Sequence, residues 1–231
     1  MFTTLTVIAT AAVAIVLGAW ARHVSVETRR LRAALTDAAW QLAHDPLTGL
    51  CNRAGLLAAH TIIAATPQPI IVVLIDLDGF KTVNDTHGHD TGDDLLITIA
   101  DRVEELTDLY GGTAARLSGD EYAALLPANG HDPDRLGAAF VAVIAEPARL
   151  DIDGAPTTVT VTASIGVALV DSTDGFGEIA LHRADVAMYH AKHGGGNRHV
   201  LYVPGMAMPA RTPRRGPRPR DQHRTPGRAG A

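Results

Sequence analysis

Ile70-Ile71-Val72-Val73-Leu74-Ile75-Asp76-Leu77, running on into Asp78-Gly79-Phe80-Lys81, is the stretch that decides the architecture. Its first six residues are apolar and mostly β-branched, and the run is too short to cross a bilayer. It therefore reads as a buried strand. Two carboxylates stand at its carboxyl end, and period 2 along a strand sends Asp76 and Asp78 to the same face. Ionised carboxylates beside a buried run are costly unless they are hydrogen-bonded or hold a cation.

Working outward, Arg53–Ala64 reads as a helix closed by the loop carrying Pro67 and Pro69. Apolar positions Leu95, Leu96, Ile99, Val103 and Leu106 predict one buried helix face over 90–106, with Asp90 as its N-cap. Ala114–Leu117 and Tyr122–Leu126 predict two strands around the polar tetrad Ser118-Gly119-Asp120-Glu121, a hairpin signature. A helix is expected over Asp134–Ala145, and one long alternating strand over Thr158–Val170. A further helix, Ile179–Lys192, is stopped by Gly194-Gly195-Gly196, and His199–Val203 forms a last short strand. This order predicts an α+β fold, a central sheet with helices packed over it.

The ends differ from the body. Met1 to Ala21 holds no charged residue, and a helix of that length spans roughly 31 Å, the thickness of a bilayer core. No Lys or Arg precedes the run, as a secretory signal would require, whereas Arg22, His23, Arg29, Arg30 and Arg32 follow it. The reading is a transmembrane anchor over residues 1–21, with Trp20 at the interface and everything after it on the cytoplasmic side of the inner membrane. Residues 22–43 form a helical linker. Val24, Thr28, Leu31, Leu35, Ala38 and Leu42 recur with spacing 4-3-4-3-4, which fits either a short parallel coiled coil or an amphipathic helix lying on its own domain. Residues 44–203 form the globular body.

Residues 204–231 are a Pro-, Gly- and Arg-rich tail too poor in apolar residues to fold. The tail holds seven arginines against Asp221, so it carries +6, and the remainder of this 231-residue chain of net charge −5 carries −11. So acidic a body argues against nucleic-acid binding by the folded part. A single cysteine, Cys51, allows no intrachain disulfide and fits a reducing compartment.

The chemistry concentrates around the two acidic sites. A strand-end Asp76 and the hairpin acids Asp120 and Glu121 can converge on one hard cation, and Mg²⁺ is satisfied by one or two carboxylates, water and substrate phosphates. An EF-hand is excluded, because Phe80 stands where an oxygen ligand is needed. Lys81 and nearby backbone N–H groups can neutralise a polyphosphate. Asn84 and Asp93 offer complementary groups for a purine edge. His87 and His89 lack further spaced ligands and read as loop residues.

Together these motifs spell a family. Asp45-Pro46-Leu47-Thr48-Gly49-Leu50 with Asn52-Arg53, the block from Asp76 through Asn84-Asp85, Gly88-His89-Asp90 and Gly92-Asp93, and Arg116 to Tyr122 resemble GGDEF domains in order and spacing. Ser164-Ile165-Gly166-Val167 and Ala184–Lys192 are similar to that family's later motifs. The resemblance implies a ferredoxin-like, nucleotidyl-cyclase palm with a mostly antiparallel sheet. It also implies a diguanylate cyclase that joins two GTP into cyclic di-GMP, one GTP per protomer of a homodimer, with Mg²⁺ or Mn²⁺. By the same resemblance Asp76, Asp120 and the Leu77 carbonyl would ligate the metal. Glu121 would assist metal binding or deprotonate the 3′-hydroxyl. Asn84 and Asp93 would recognise guanine, and Lys81 and Lys192 the phosphates. Phe80, Ser118 and Gly119 would complete the substrate site.

Three departures stand out. Ser118 replaces the first signature glycine, where a Cβ is expected to crowd the nucleotide or disturb the turn. Tyr122 replaces Phe, and Gly196 stands where a phosphate-binding Arg is common. Separately, Leu109 and Gly112 occupy the two ends of the family's RxxD product-inhibition site, so feedback by cyclic di-GMP there is expected to be absent. A catalytically degenerate domain that binds GTP or a partner as a regulator at the membrane is the competing expectation.

Overall fold

The computed structural model describes residues 2–152 and 154–208, with side chains described from Leu17 onward. Helix α1 (Phe2–Ala43) is unbroken across the expected boundary at Ala21. Among the described residues no helix is long and apolar enough to cross a membrane. The expected transmembrane helix is therefore not supported, and side chains 1–16 of that stretch lie outside those described. The basic tail lies, from residue 209, outside the described residues as well.

In the second half of α1, the amphipathic seam does not lie on its own domain. Val24, Leu31, Leu35 and Leu42 are 42–75% exposed, so within one chain this apolar stripe has no cover. At the other end of the helix the chain turns through Asp45–Gly49, and Asn52 opens α2 (Arg53–Ile63) by accepting hydrogen bonds from the N–H groups of Ala54 and Gly55.

Strand β1 (Pro69–Asp78) is the centre of a five-stranded sheet of order β2-β3-β1-β6-β7, with β2 (Thr113–Ser118), β3 (Glu121–Pro127), β6 (Thr162–Asp171) and β7 (Arg198–Leu201). β1 pairs antiparallel with β3 and β6, whereas β7 runs parallel to β6, so the sheet is mixed. β1 is buried on both faces because its neighbours on both sides are covered. Ile71, Val73, Ile75 and Leu77 pack toward the cluster containing Leu95 and Ile99 of α4 (His89–Leu109) and Phe140 of α5 (Pro133–Ile144). Ile70, Val72 and Leu74 pack toward Leu56 of α2, Phe176 and Ala180 of a π-helical turn (Phe176–Leu181), and Ala184 of α6 (His182–His193). Each such side chain contributes on the order of 1.5–3 kcal/mol by burial. Gly166 lets α6 lie directly on β6, since a Cβ there would overlap the Ala184 carbonyl and the Met188 N–H.

Four expectations are corrected. The polar stretch Phe80–His87 is helix α3, so His87 and His89 end one helix and begin the next instead of lying in a loop. Asp90 is not the N-cap of α4. Gly88 holds that position without any side-chain cap bond, and Asp90 sits in the first turn. The expected strand 158–170 is two strands, and its front part belongs to a separate hairpin of β4 (Ala148–Ile152) with β5 (Ala155–Val159). The helix expected over 179–192 begins as the π-helical turn.

Candidate active site

The sheet brings the two acidic motifs together by register. Asp76 of β1 lies directly opposite Glu121 of β3, so their side chains leave the same face as near neighbours. The hairpin tip is fastened to the strand end as well, for the Leu77 N–H donates to the Asp120 carbonyl at 3.2 Å. Even-numbered residues of β1 face α2 and α6, and it is α6 that supplies the partner charge. Lys192 Nζ donates to Asp76 Oδ1 at 2.6 Å.

Asp76 is 8% exposed. Burial pushes its carboxyl above the usual carboxylate range; Lys192 opposes this, and the charges of Asp120 and Glu121 add to it. Lys192 also moves upward. Its partial burial works against the ammonium, but the Asp76 hydrogen bond and the charges of Asp76, Asp120 and Asp78 outweigh it. Burial thus dominates at Asp76, whereas the neighbouring carboxylates together dominate at Lys192.

The hairpin turn itself is unstrained. Gly119 takes φ +47°, a left-handed conformation that favours glycine, but Ser118 does not have a positive φ. The disturbance of the turn expected from serine at that position is absent, and its hydroxyl donates to Glu121 Oε2 at 2.8 Å. Tyr122 fits for a similar reason: fully buried, its hydroxyl donates to the Leu96 carbonyl at 2.8 Å.

Asn84 and Asp93 stand on the facing helices α3 and α4. These pack closely because position 92 is glycine; a Cβ there would overlap Asn84 Oδ1 and come 3.3 Å from the Phe80 ring. Asn84 Oδ1 is buried against Gly92 and has no hydrogen-bond partner among the described residues. Asp93 and Lys81 are exposed. Phe80 is buried in the core cluster beneath α3 and α4. A cavity of 340 Å³ opens beside Glu121, lined also by Arg53, His182, Asp185 and Met188.

Sequence reasoning missed two supports. Arg116 Nη1 donates to Asp45 Oδ1 at 2.9 Å, and its Nε donates to the Gly119 carbonyl at 2.9 Å. Asp45 is held in turn by the N–H and hydroxyl of Thr48. The segment leaving α1 is thereby tied to the signature turn. Asp78, the second acid of the strand end, accepts from Thr162 Oγ1, Ser164 Oγ and the Asn197 N–H. It is used up inside the protein. The N–H groups of Gly194, Gly195 and Gly196 all donate to carbonyls of α6, so those glycines end the helix and do not cradle phosphate.

Among the described residues no group of three or more His, Cys, Asp or Glu side chains is arranged to hold a metal ion. Asp76, Asp120 and Glu121 are thus near one another without forming a ready cage.

Comparison with known proteins completes the picture. The family pattern for the diguanylate cyclase GGDEF domain matches residues 42–198. The chain belongs to the GGDEF family. An uncharacterised 19.3 kDa protein of Streptomyces ambofaciens is 41% identical over 191 residues, 79% of this chain and 92% of that protein. The diguanylate cyclase TpbB of Pseudomonas aeruginosa is 38% identical over 170 residues, which is 71% of this chain but only 38% of TpbB. Among solved structures, the coiled coil and GGDEF domain of DgcB from Caulobacter crescentus, in complex with c-di-GMP, is similar with TM-score 0.68 and 27% identity, covering 80% of this chain and 98% of that one. The GGDEF palm and its mixed, helix-flanked sheet are therefore shared, and SGDEY at 118–122 is this chain's form of the family signature.

Proposed function

We propose that this GGDEF domain is a diguanylate cyclase that condenses two GTP molecules into cyclic di-GMP and two pyrophosphates, with Asp76, Asp120 and Glu121 as its acidic centre. The observation that carries the reading is the pairing of Asp76 with Glu121 across adjacent strands, with Asp120 tied to Leu77. Lys192 on Asp76 supports it, because the ammonium sits on a nearly buried carboxylate where a divalent cation would otherwise balance the charge. These residues fit Mg²⁺ or Mn²⁺, which asks for only one or two protein carboxylates. Asp76 and Asp120, with the Leu77 carbonyl, are the proposed ligands. When bound, the cation neutralises phosphate charge and makes the 3′-hydroxyl more acidic.

The residues of the chain do the rest by positioning. Asn84 and Asp93, on the facing helices α3 and α4, receive the guanine. Phe80 and Gly119 shape the pocket from below and from the turn. Lys192 moves from Asp76 to the triphosphate, joining Lys81. Glu121 holds the metal or takes the 3′-hydroxyl proton. That oxygen then bonds to the α-phosphorus of the GTP on the partner, the bond to the bridging β-phosphate oxygen breaks, and pyrophosphate leaves. Two such steps close the ring.

A homodimer is required, and the uncovered stripe Val24, Leu31, Leu35 and Leu42 is the surface proposed to bring two α1 helices together. A place at the inner membrane, facing the cytoplasm, rests on the uncharged residues 1–21 and the arginines after them alone. Feedback through the RxxD position is absent in this reading. Position 112 has no space for an aspartate, since a Cβ there would lie 2.7 Å from the Leu125 carbonyl oxygen.

The test is incubation of the full chain, verified as a dimer by light scattering, with GTP and Mg²⁺ and chromatography of the product. Cyclic di-GMP from the wild type and none from a folded Asp120→Ala variant is expected. Tight GTP binding without product would instead establish the regulator reading, and equal product from both proteins would overturn the metal assignment.

A further inference from the structure

Ser118 is the residue at which this chain leaves the family signature, and its hydroxyl has a defined partner. Oγ donates to Glu121 Oε2 at 2.8 Å. Ser118 and Glu121 are the last paired residues of β2 and β3, and a register shift between Arg116 and Ser118 sets them opposite one another. The bond therefore closes across the mouth of the hairpin. Beneath it the Arg116 guanidinium grips the Gly119 carbonyl, so the backbone carrying both groups is held too. The backbone at 118 is outside the left-handed region, and serine stands there without strain.

A glutamate at a partly exposed hairpin end otherwise samples several rotamers, and ordering it on ligand binding costs conformational entropy. A glycine at 118 has no donor with which to order it beforehand. We propose that Ser118 is a positioning residue for Glu121: its hydroxyl holds one carboxylate oxygen and leaves the other for a divalent cation at the Asp76–Asp120 end of the sheet. The departure from glycine replaces backbone freedom with a side-chain hydrogen bond, and it acts on the metal through Glu121. This rests on the diguanylate cyclase reading above.

The experiment compares the full chain with S118A, S118G and S118T. Mn²⁺ binding in the presence of GTP is followed by electron paramagnetic resonance, and cyclic di-GMP formation is followed as Mg²⁺ is varied. S118A and S118G are expected to bind Mn²⁺ about threefold to tenfold more weakly, the size expected for one hydrogen bond to a charged group at a partly exposed site. The loss falls on the metal requirement and not on the rate at saturating metal, and S118T keeps wild-type affinity. Better binding or turnover in S118G than in both serine and alanine proteins would show that the Cβ crowds the nucleotide, and would overturn the proposal. Equal Mn²⁺ affinity in all four active proteins would overturn it alone. A wild type that binds no Mn²⁺ and makes no product would overturn the functional reading, and this inference with it.

Discussion

Removing the Asp78 carboxylate should unfasten the end of α6 from the sheet, and the cost can be worked from its partners. Its oxygens accept from Thr162 Oγ1 at 2.8 Å, Ser164 Oγ at 2.6 Å and the Asn197 N–H at 2.8 Å. Hydrogen bonds to a charged group are worth about 1.5–3 kcal/mol each. Asn197 is exposed and Thr162 partly so, so water recovers part of those two. Ser164 is fully buried, and its orphaned hydroxyl costs about 1–3 kcal/mol. Asp78→Ala should therefore lose about 3–5 kcal/mol, a large share of the ~5–15 kcal/mol available to a domain. With a urea slope of about 1–3 kcal/mol per molar, the unfolding midpoint falls by roughly 1 M or more. Asp78→Asn should cost far less, since its carbonyl oxygen can keep two donors and the serine hydroxyl can rotate to accept from the amide. Ser164→Ala should cost little once Asp78 is gone, giving a coupling of about 1–2 kcal/mol in a double-mutant cycle. Additive losses, or an Asp78→Ala protein within about 1 kcal/mol of wild type, would refute the clamp.

Two further outcomes follow from named contacts. Burial raises the Asp45 carboxyl, but hydrogen bonds from Arg116 and Thr48 hold it below the usual carboxylate value. A lowered folded-state pKa means that its stabilisation is present above about pH 4 and is lost as pH falls through the folded value. Asp45→Asn should therefore be less stable than wild type at pH 7, and the gap in melting temperature should shrink at pH 3; a constant gap would contradict the ion pair. Installing Arg at 109 and Asp at 112 should not create a cyclic di-GMP site. Leu109 is 77% exposed and tolerates the change, but the Cβ at 112 meets the Leu125 carbonyl oxygen at 2.7 Å and Leu126 Cγ at 2.9 Å, at a cost of about 1–3 kcal/mol. Calorimetry should give no cyclic di-GMP binding at that face and a lowered melting temperature.

The legible parts of the fold were those whose residues say the same thing at every level. Ile70–Ile75 could be read because a run with no polar face must be buried on both sides. The α4 stripe could be read because Leu95, Ile99 and Val103 leave one face. Helix α3 was not, since Lys81-Thr82-Val83-Asn84-Asp85 has almost no apolar periodicity. It is held by its packing on α4 at Gly92, a tertiary fact. The β4–β5 hairpin was hidden because Thr158–Val170 alternates straight through its break at Thr160-Val161, and period 2 does not record where a strand changes partner. In the site, residue identities were legible but partners were not. That Ser118 would donate to Glu121, and that Arg116 would join Asp45 to the turn, depends on a register shift and on a contact between residues 71 positions apart.

The two strand-end aspartates make the same point in one place. Period 2 put Asp76 and Asp78 on one face and left both open as metal ligands. What separates them is the cross-strand neighbour, which the sequence of β1 does not contain. Asp78 pairs with Thr162 of β6 and lies beside Ser164, so hydroxyl groups and the returning 197 backbone saturate it. Asp76 pairs with Glu121 on one side and Ser164 on the other, but Ser164 is already committed to Asp78. Asp76 is left facing an acid, with the Lys192 ammonium as its partner. One carboxylate is thereby fixed as structure, and the other, held by Lys192, is the one proposed for the metal. The boundary between support and site on this strand falls between two identical side chains, and β3 and β6 draw it.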